Sequence, residues 1–375
     1  MVKRLINQSV KPRKLFRQRR SYRTGMNGEE FIKRLEEGER YFYDLELPQG
    51  ADLTPYISRI NEILKDSMSE SNPLIIDGCK LERVKADGIY FESLNSIWGT
   101  EKTLYFLDCS LRRSVFCRAN LKNADFGKSD LAYSDFSKSD LEESKFIKSD
   151  LTKAKLDKAN LENANLTGAN LEEASLDEST LHGTVFANSN LHKATLKGAE
   201  LFRTDFREAD LSEADLTCSC GDADFSGAIL DEAVLEEVEY THSIFERSSI
   251  KKAKIDKSSL YKIDFTDSNI EKSSFKETYI KHISFENANL RGADFTESEF
   301  EFVDFTEADL RGANFKNVRI KFALFCRTNL INLKNLDSAE GIERAIFLDV
   351  IVTEKEKSII DRKSNNPANS FVLRG

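Results

Sequence analysis

Two cysteines one residue apart are the pair in this sequence that most suggests chemistry. Cys218 and Cys220 lie in the stretch LTCSCGDADF at residues 216–225. Thiolates at this spacing can bind a metal ion or exchange disulfides, but a zinc site needs four ligands, usually two spaced pairs of Cys or His. The cysteines at positions 79, 109, 117 and 326 supply no second pair. We therefore interpret Cys218 and Cys220 as small apolar core residues and predict no metal and no cofactor.

The histidines do not form a catalytic group either. His182 and His192 are ten residues apart, and His242 and His282 are forty apart with Lys262 midway between them. Neither arrangement gives a nucleophile with an adjacent base. Acid and base catalysis by two carboxylates needs a pocket that makes their pKa values differ, and the repeat offers no such pocket to its paired acids. The sequence predicts that the protein is not an enzyme.

The cysteine pair interrupts a five-residue repeat. Every fifth residue from Phe106 to Leu216 is Leu or Phe, and the repeat resumes at Phe225 and continues to Leu330, where every centre is Leu, Phe or Ile except Tyr240. We call these fifth residues centres. The interval from Leu216 to Phe225 is nine, so one residue has been lost near 217–221. Placing Cys220 at the missing centre gives one step of four and then regular fives.

A second and longer period, of four centres or 20 residues, is superimposed on the five-residue repeat. One column of centres in the second half is entirely aromatic, whereas the adjacent column contains only Leu and Ile; the aromatic column is Phe225, Phe245, Phe265, Phe285, Phe305 and Phe325. Repeats of this kind decide the fold before other signals. The two periods together describe a coil with four five-residue sides, stacked so that identical side chains form ladders. The sequence therefore predicts an all-β solenoid.

Small residues and glycines have fixed places in the repeat. The residue two before each centre is almost always Ala, Ser, Thr, Cys or Val, so it is expected to face the interior beside the centre. Six glycines fall two residues after a centre, where we expect a corner with an unusual backbone dihedral; they are Gly168, Gly183, Gly198, Gly227, Gly292 and Gly312.

The motifs at these positions resemble pentapeptide-repeat proteins. They include Ala-Asn-Leu at 119–121, 159–161 and 169–171, Ala-Asp-Phe at 124–126, and Ala-Asp-Leu at 209–211 and 308–310. The resemblance implies a right-handed quadrilateral β-helix, which agrees with the four-sided coil. The resemblance is specific for the fold and poorly specific for function; some members, those linked to quinolone resistance, are acidic rods that imitate DNA and engage gyrase.

The chain is expected to have four regions. Residues 1–27 form a basic disordered arm, and residues 28–73 a helical cap with helices at about 28–40 and from Thr54, which we place at the N-cap before Pro55. The repeat β-helix covers 74–332, with degenerate coils at 74–105. Residues 333–375 supply a C-terminal cap and tail, because solenoid ends need capping.

Charge is distributed unevenly along a chain whose net charge is −9. Twelve acids and one base lie between positions 205 and 239, and we take part of this run as a candidate acidic interaction patch: Asp222, Asp224, Asp231, Glu232, Glu236, Glu237 and Glu239. Lysines at 251, 252, 254 and 257 follow it. The N-terminal arm is a candidate basic site through Arg13, Lys14, Arg17, Arg19, Arg20 and Arg23.

With the interior filled by centres, function must use outward positions or the caps. We predict a non-enzymatic scaffold that binds an unidentified protein. The alternatives are an acidic DNA mimic acting on a DNA-binding protein such as gyrase, nucleic-acid or anionic-surface binding through the basic arm, and self-association through a cap. No apolar run has the length of a membrane span, and unpaired cysteines suit a reducing compartment, so we expect a cytoplasmic protein without transmembrane insertion.

Overall fold

The structure, a computed structural model, describes residues 28–39, 41–43, 51–67, 75–77, 80–82, 105–364 and 366–374. The candidate basic arm lies outside the described residues, as do Cys79 and most of the expected degenerate coils. All statements below concern the described part of the chain.

Two short helices precede the solenoid. Helix α1 spans Gly28–Glu36, and α2 spans Ile57–Ser67 directly after a 3-10 turn at Thr54–Tyr56. Thr54 is not the N-cap that the sequence suggested. It lies inside the 3-10 turn, and its N–H donates to Asp52 Oδ1 at 2.9 Å. An Asx-type bond from a residue two positions earlier thus replaces the expected Thr cap.

The strands are short, as a coil with corners every five residues requires. They are β1 (Tyr41–Tyr43), β2 (Ile75–Asp77), β3 (Lys80–Glu82), β4 (Tyr105–Leu107), β5 (Glu200–Phe202), β6 (Ser219–Gly221), β7 (Glu239–Thr241), β8 (Ser259–Tyr261), β9 (Tyr279–Ser284), β10 (Glu299–Asp304), β11 (Arg319–Cys326), β12 (Ala345–Leu348), β13 (Val350–Val352) and β14 (Phe371–Leu373). Every pairing between them is parallel. Strand β3 pairs with β4 with Leu81 opposite Phe106, in the phase expected for the degenerate coils.

Isolated parallel bridges between successive coils join the remaining coils, for example Asp130 to Asp150 and Asp294 to Asn314. Together with the strands they form a four-sided parallel β-solenoid, so the predicted all-β solenoid is confirmed. We number the sides by their centres: the first side contains Phe225, the second Leu230, the third Leu235 and the fourth Tyr240.

A regular repeat whose centre follows Asp or Asn can use all five of its backbone N–H groups. In residues 126–130, the first and third N–H donate to carbonyls of the following coil, and the fifth donates to the preceding coil. The fourth closes a turn on the Phe126 carbonyl at 3.1 Å. The second donates to Asp125 Oδ1 at 2.9 Å. The Asp or Asn that precedes so many centres therefore satisfies the one N–H that the coil itself cannot.

The corner residue two positions after a centre has a left-handed backbone. The six glycines expected there have φ between 65° and 69°, which confirms that prediction. Glycine is not required, however, because Lys, Glu, Asn, Arg, Asp, His, Tyr and Phe occupy the same position elsewhere with φ between 53° and 63°. Hydrogen bonds from this residue to the adjacent coil hold it in a conformation that side chains ordinarily disfavour.

Ladders of identical side chains fill the interior. Along the first side, Phe206 stacks on Phe225 with ring centroids 4.9 Å apart, and Phe225 stacks on Phe245 at 4.5 Å. These separations equal the spacing of parallel strands, so the aromatic column runs through the point where one residue was lost. Every described centre is buried.

Cys220 is the centre of the shortened repeat, as predicted. It pairs with Leu201 in the preceding coil and with Tyr240 in the following coil. Ser219 N–H keeps the regular bond to the preceding coil by donating to Ala199 O, but the Leu216 carbonyl, which in a regular repeat accepts the turn N–H, instead accepts the buried Tyr240 hydroxyl at 3.0 Å. The tyrosine that breaks the Leu/Phe/Ile rule thus compensates for the deletion.

The solenoid continues beyond the expected boundary at residue 332. A coil two residues longer than the others brings Phe347 onto the aromatic column, where its ring stacks on Phe325 at 4.9 Å. Helix α3 (Glu354–Lys363) then closes the end, and Lys363 Nζ donates to Ala339 O at 2.8 Å. Residues 371–373, which we expected to be tail, pair as β14 with β13.

Candidate interaction surface

The seven acids of the candidate patch surround the rod instead of sharing one side. Asp224 lies on the first side, Asp231 and Glu232 on the second, Glu236 and Glu237 on the third, and Asp222 and Glu239 on the fourth. We call this set the acidic belt. The sequence run is contiguous because one coil takes four successive repeats, and for that same reason its charges point in four directions.

Lysines in the following coil pair with much of the belt. Lys251 Nζ is 3.0 Å from Asp231 Oδ2, and Lys252 Nζ is 2.7 Å from Glu232 Oε1. Lys257 Nζ is 3.6 Å from Glu237 Oε1 on the third side. The basic run at 251–257 is therefore the counterpart of the belt, one coil above it, and these exposed pairs locally neutralise the second and third sides.

Two belt carboxylates also have structural partners. Asp224 Oδ1 accepts Ser226 N–H at 2.9 Å. This is the bond that the acid before a regular centre makes to the residue after that centre. Asp231 Oδ1 accepts Lys251 N–H at 2.9 Å and the Ser249 hydroxyl at 2.6 Å. Burial opposes ionisation of Asp231, but these bonds and the Lys251 ammonium outweigh it and hold its pKa below the ordinary value.

The fourth side carries a feature that the sequence reasoning missed. From β5 to β11 its strands form one parallel sheet, in the order β11-β10-β9-β8-β7-β6-β5, and β12 extends this sheet on the first side by pairing with the second half of β11. At the corner where this sheet turns to the first side, five rings follow one another along the rod axis: His242, Tyr261, His282, Phe302 and Phe322. We call this set the aromatic ridge.

Contacts between the rings make the ridge continuous. Tyr261 lies between the two histidines, with centroid distances of 5.5 Å to His242 and 5.7 Å to His282. His282 stacks on Phe302 at 4.9 Å with the planes 2° apart, and Phe302 is 5.5 Å from Phe322. Phe302 is 51% exposed although it is a large apolar side chain. Aromatic rings in such surroundings are typical of protein-binding surfaces.

The same side contains a depression beside the lower end of the ridge. It encloses about 420 Å³ and is lined by residues of β5, β6 and β7, including Phe202, Ser219, Gly221 and Thr241. Gly221 is the cause, because it places no side chain between Phe202 and Thr241 in the outward column. Phe202 is itself 43% exposed, with the Arg203 guanidinium 5.0 Å from its ring centroid.

A network of ion pairs covers the upper part of the sheet. Lys281 Nζ is 2.7 Å from Glu301 Oε1, Lys321 Nζ is 2.6 Å from Glu299 Oε1, and Tyr279 Oη donates to Glu301 Oε2 at 2.6 Å. The bonds from Lys281, then Tyr279, lower the pKa of Glu301 to about 2. The strands β9, β10 and β11 are thus tied together across their outer surface.

The residues first considered for chemistry form no reactive site in the described part of the chain. Cys218 and Cys220 are buried; burial raises the pKa of both thiols, that of Cys220 to about 12. Among the described residues no group of three or more His, Cys, Asp or Glu side chains is placed to hold a metal ion. The described helices lack the length and apolar character of a membrane span.

Comparison with known proteins agrees with the repeat. The family model for pentapeptide repeats matches eight copies, in residues 109–146, 144–183, 181–217, 273–312 and 293–332. No curated protein matches the chain.

Solved structures similar to this chain include two that are described as pentapeptide repeat proteins and one antibiotic-resistance protein. HetL, involved in heterocyst differentiation regulation in the cyanobacterium Nostoc, is 18% identical, with 77% of this chain and 97% of HetL covered and a TM-score of 0.25. A trypsin-treated QnrB1, a plasmid-mediated fluoroquinolone resistance protein, is 15% identical, with 69% and 96% covered and a TM-score of 0.25. A pentapeptide repeat protein from Cyanothece is 24% identical, with 43% and 97% covered and a TM-score of 0.18.

Proposed function

Because this chain is a pentapeptide-repeat protein, we propose that it is a non-enzymatic interaction scaffold whose recognition surface is the fourth side of the rod. The observation that carries the proposal is the aromatic ridge on a flat sheet. The centres fill the interior, so the ridge rings add nothing to the core; His242, His282 and Phe302 are exposed, Tyr261 and Phe322 are half-buried, and the rings are in contact over five successive coils.

The placement of charge favours this role over DNA mimicry. Duplex DNA offers a phosphate charge about every 1.7 Å along its axis. The acidic belt instead spreads around four sides, and Lys251, Lys252 and Lys257 oppose it one coil away. A micromolar concentration of the rod is accordingly expected to leave gyrase supercoiling unchanged. Inhibition would reverse the preference between the two functions.

Two further proposals rest on the sequence. Nucleic-acid or anionic-surface binding through the basic arm concerns residues outside the described structure. Deleting residues 1–25 tests it, because unchanged salt-dependent retention of nucleic acid would rule the arm out. A cytoplasmic location is favoured by the free thiols at the five described cysteines, an arrangement that suits a reducing compartment.

A matched pair of variants tests the scaffold function. Phe302 and Tyr133 are both exposed aromatic residues at left-handed corners, but Tyr133 lies on the second side, away from the ridge. Asn tolerates this backbone conformation, so Phe302→Asn and Tyr133→Asn remove one ring each without disturbing the fold. We expect affinity capture from a native extract, quantified by mass spectrometry, to lose its specific proteins with F302N and to keep them with Y133N. Identical captured sets for the two variants would contradict use of the ridge.

A further inference from the structure

We infer that the depression on the fourth side receives an arginine side chain of the partner protein; the inference rests on the proposed use of that side. The depression lies in the coil of Cys220, which is the coil that has lost a residue. The outward residues beside this centre are Ser219 and Gly221, and both are small. The coils below and above carry larger outward side chains, so the surface of the sheet is lower at this one coil.

Phe202 and Thr241 form two walls of the depression. They are the outward neighbours of Gly221 in the coils below and above. A Cβ atom at Gly221 would lie 3.4 Å from Phe202 Cδ2 and 3.6 Å from Thr241 Oγ1, so a side chain there would fill the space between them. The Phe202 ring offers carbon atoms to whatever enters, which suits the aliphatic stem of a long basic side chain.

Two carboxylates lie on the other flank of the depression. Glu200 precedes the centre in the coil below and Glu239 precedes it in the coil above, with Ser219 between them. Glu200 Oε2 is 3.1 Å from His182 Nε2, so this carboxylate has an imidazole partner. Glu239 is exposed and forms no ion pair with any other described residue. An entering cation would therefore meet one carboxylate that has no competing base.

The fourth side is also where the acidic belt is not neutralised. The lysines of the following coil pair with the belt on the second and third sides. Asp222 and Glu239 are the belt members on the fourth side, and neither forms an ion pair within the described part of the chain. None of the described residues that line the depression is a lysine or an arginine. The depression and its rim therefore attract a cation and repel an anion.

Charge along the whole fourth side has a matching polarity. Its outward positions are the residue before each centre and the two residues after it. From the coil of Leu121 to the coil of Tyr240 these positions carry seven acids and two bases, whereas from the coil of Leu260 to the coil of Ile320 they carry four bases and two acids. A partner that covers this side must be positive where it meets the depression, so the polarity also sets the direction in which it lies.

Other occupants fit the depression less well. A metal ion does not fit, because no three or more His, Cys, Asp or Glu side chains of the described chain are placed to hold one. An apolar side chain would take Glu239 out of water without giving it a partner, which is unfavourable. Arginine combines an apolar stem with several N–H donors, which the Glu239 carboxylate and the hydroxyls of Ser219 and Thr241 can accept. A lysine ammonium is more strongly hydrated and therefore loses more on entering.

Saturation-transfer NMR of the full chain, with N-acetyl-arginine methylamide as the probe, tests the inference. A single side chain makes few contacts, so we expect a dissociation constant of about 1–10 mM, which titration to about 20 mM covers. N-acetyl-citrulline methylamide has nearly the same shape without the charge, and we expect it to bind about fivefold more weakly. Equal binding of the two probes would overturn the assignment of a cation.

Two variants and a matched control locate the site. Glu239→Gln and Glu236→Gln each remove one unpaired carboxylate from the same coil, but Glu236 lies on the third side. We expect E239Q to weaken binding of the arginine probe about fivefold and E236Q to leave it unchanged. Equal effects of these two variants would contradict the site, and both keep the shape of the original side chain.

Gly221→Leu tests the depression itself. The leucine side chain occupies the space between Phe202 and Thr241, so we expect no measurable binding of the arginine probe. Gly221 lies in strand β6 with ordinary φ, and its added Cβ makes only van der Waals contacts, so the variant is expected to fold, which circular dichroism checks. Undiminished binding of the probe to folded G221L would place the cation elsewhere and overturn the inference.

Competition connects the depression to the partner. The arginine probe at about 20 mM is expected to lower the amount of the specific proteins that the wild-type chain captures from a native extract. The citrulline probe, with NaCl added to match the ionic strength, is expected to leave that amount unchanged. Equal capture with both probes would overturn the role of the depression in partner binding. Capture with F302N still decides the scaffold function, so the two proposals can fail separately.

Discussion

Replacing Tyr240 by phenylalanine is expected to destabilise the coils around the deletion although the ring is kept. The Tyr240 hydroxyl is buried, donates to the Leu216 carbonyl at 3.0 Å and lies 3.5 Å from Cys218 Sγ. Without it that carbonyl loses its donor in a site closed to water, at a cost of about 2 kcal/mol. Since about 1.4 kcal/mol corresponds to a factor of ten, local opening should become roughly 30 times more frequent.

Hydrogen exchange followed by mass spectrometry measures this directly, because a solenoid opens locally and each coil contacts only its neighbours. Faster exchange is expected in peptides covering residues 216–241 and not in peptides near 300. Tyr133→Phe is the matched control, since Tyr133 is exposed and its hydroxyl should matter by less than about 0.5 kcal/mol. Equal exchange in Y240F and Y133F would refute the proposed compensation.

The usual centre residue is expected to be worse than phenylalanine at this position. Tyr240→Leu restores the residue type found at most centres, but it removes both the hydroxyl and part of the ring volume beside the small Cys220 side chain. Creation of a cavity adds to the unsatisfied carbonyl, so we expect a loss of about 3–5 kcal/mol. A stabilising effect of Y240L would show that the repeat consensus, and not the compensation, governs this coil.

Three other outcomes follow from the same structure. Phe265→Asp should cost more than about 4 kcal/mol in denaturant unfolding, because it buries a charge in the aromatic column, whereas Glu237→Lys should change stability by less than about 0.5 kcal/mol; similar losses would contradict the inside and outside assignment. Cys218 and Cys220, whose thiol pKa values are raised by burial, should react with a thiol reagent only after unfolding, so replacing both by Ser should not change the number of fast-reacting thiols. Because the folded pKa of Asp231 is lowered from 3.8, its stabilising effect is complete above that pH and is lost as pH falls through the folded value; Asp231→Asn should therefore flatten the stability curve below about pH 4, and an unchanged acid limb would contradict the assigned bonds.

The fold could be predicted because the interior is narrow. Only Leu, Phe or Ile fits most centres, so long-range stacking appears in the sequence as a short local period. The lost residue was detectable for the same reason, and Cys220 was placed correctly. Its compensation by Tyr240 was missed, although the signal was present: the exceptional centre lies one whole coil after Cys220, in the same column.

Outward positions were harder to interpret because solvent permits many residue types. The corner required a left-handed backbone, but inter-coil bonds allow residues such as Lys252 to adopt it, so glycine was only part of the pattern. The aromatic ridge mixes histidine, tyrosine and phenylalanine at two adjacent positions of the repeat, which hid its spacing of one coil. Asp231 and Lys251 have that same spacing, and it was visible as two charge runs before their pairing was known. Phe347 escaped detection because its coil is longer by two residues.

The inter-coil hydrogen bonds run along the axis of the rod and join it one coil at a time. Under tension applied to the two ends, every junction therefore bears the same load, and the weakest one decides where the rod yields. We expect that junction to be the one at the deletion, where a tyrosine hydroxyl replaces a backbone donor. Rupture under tension is therefore expected to begin between the coils that flank the deletion.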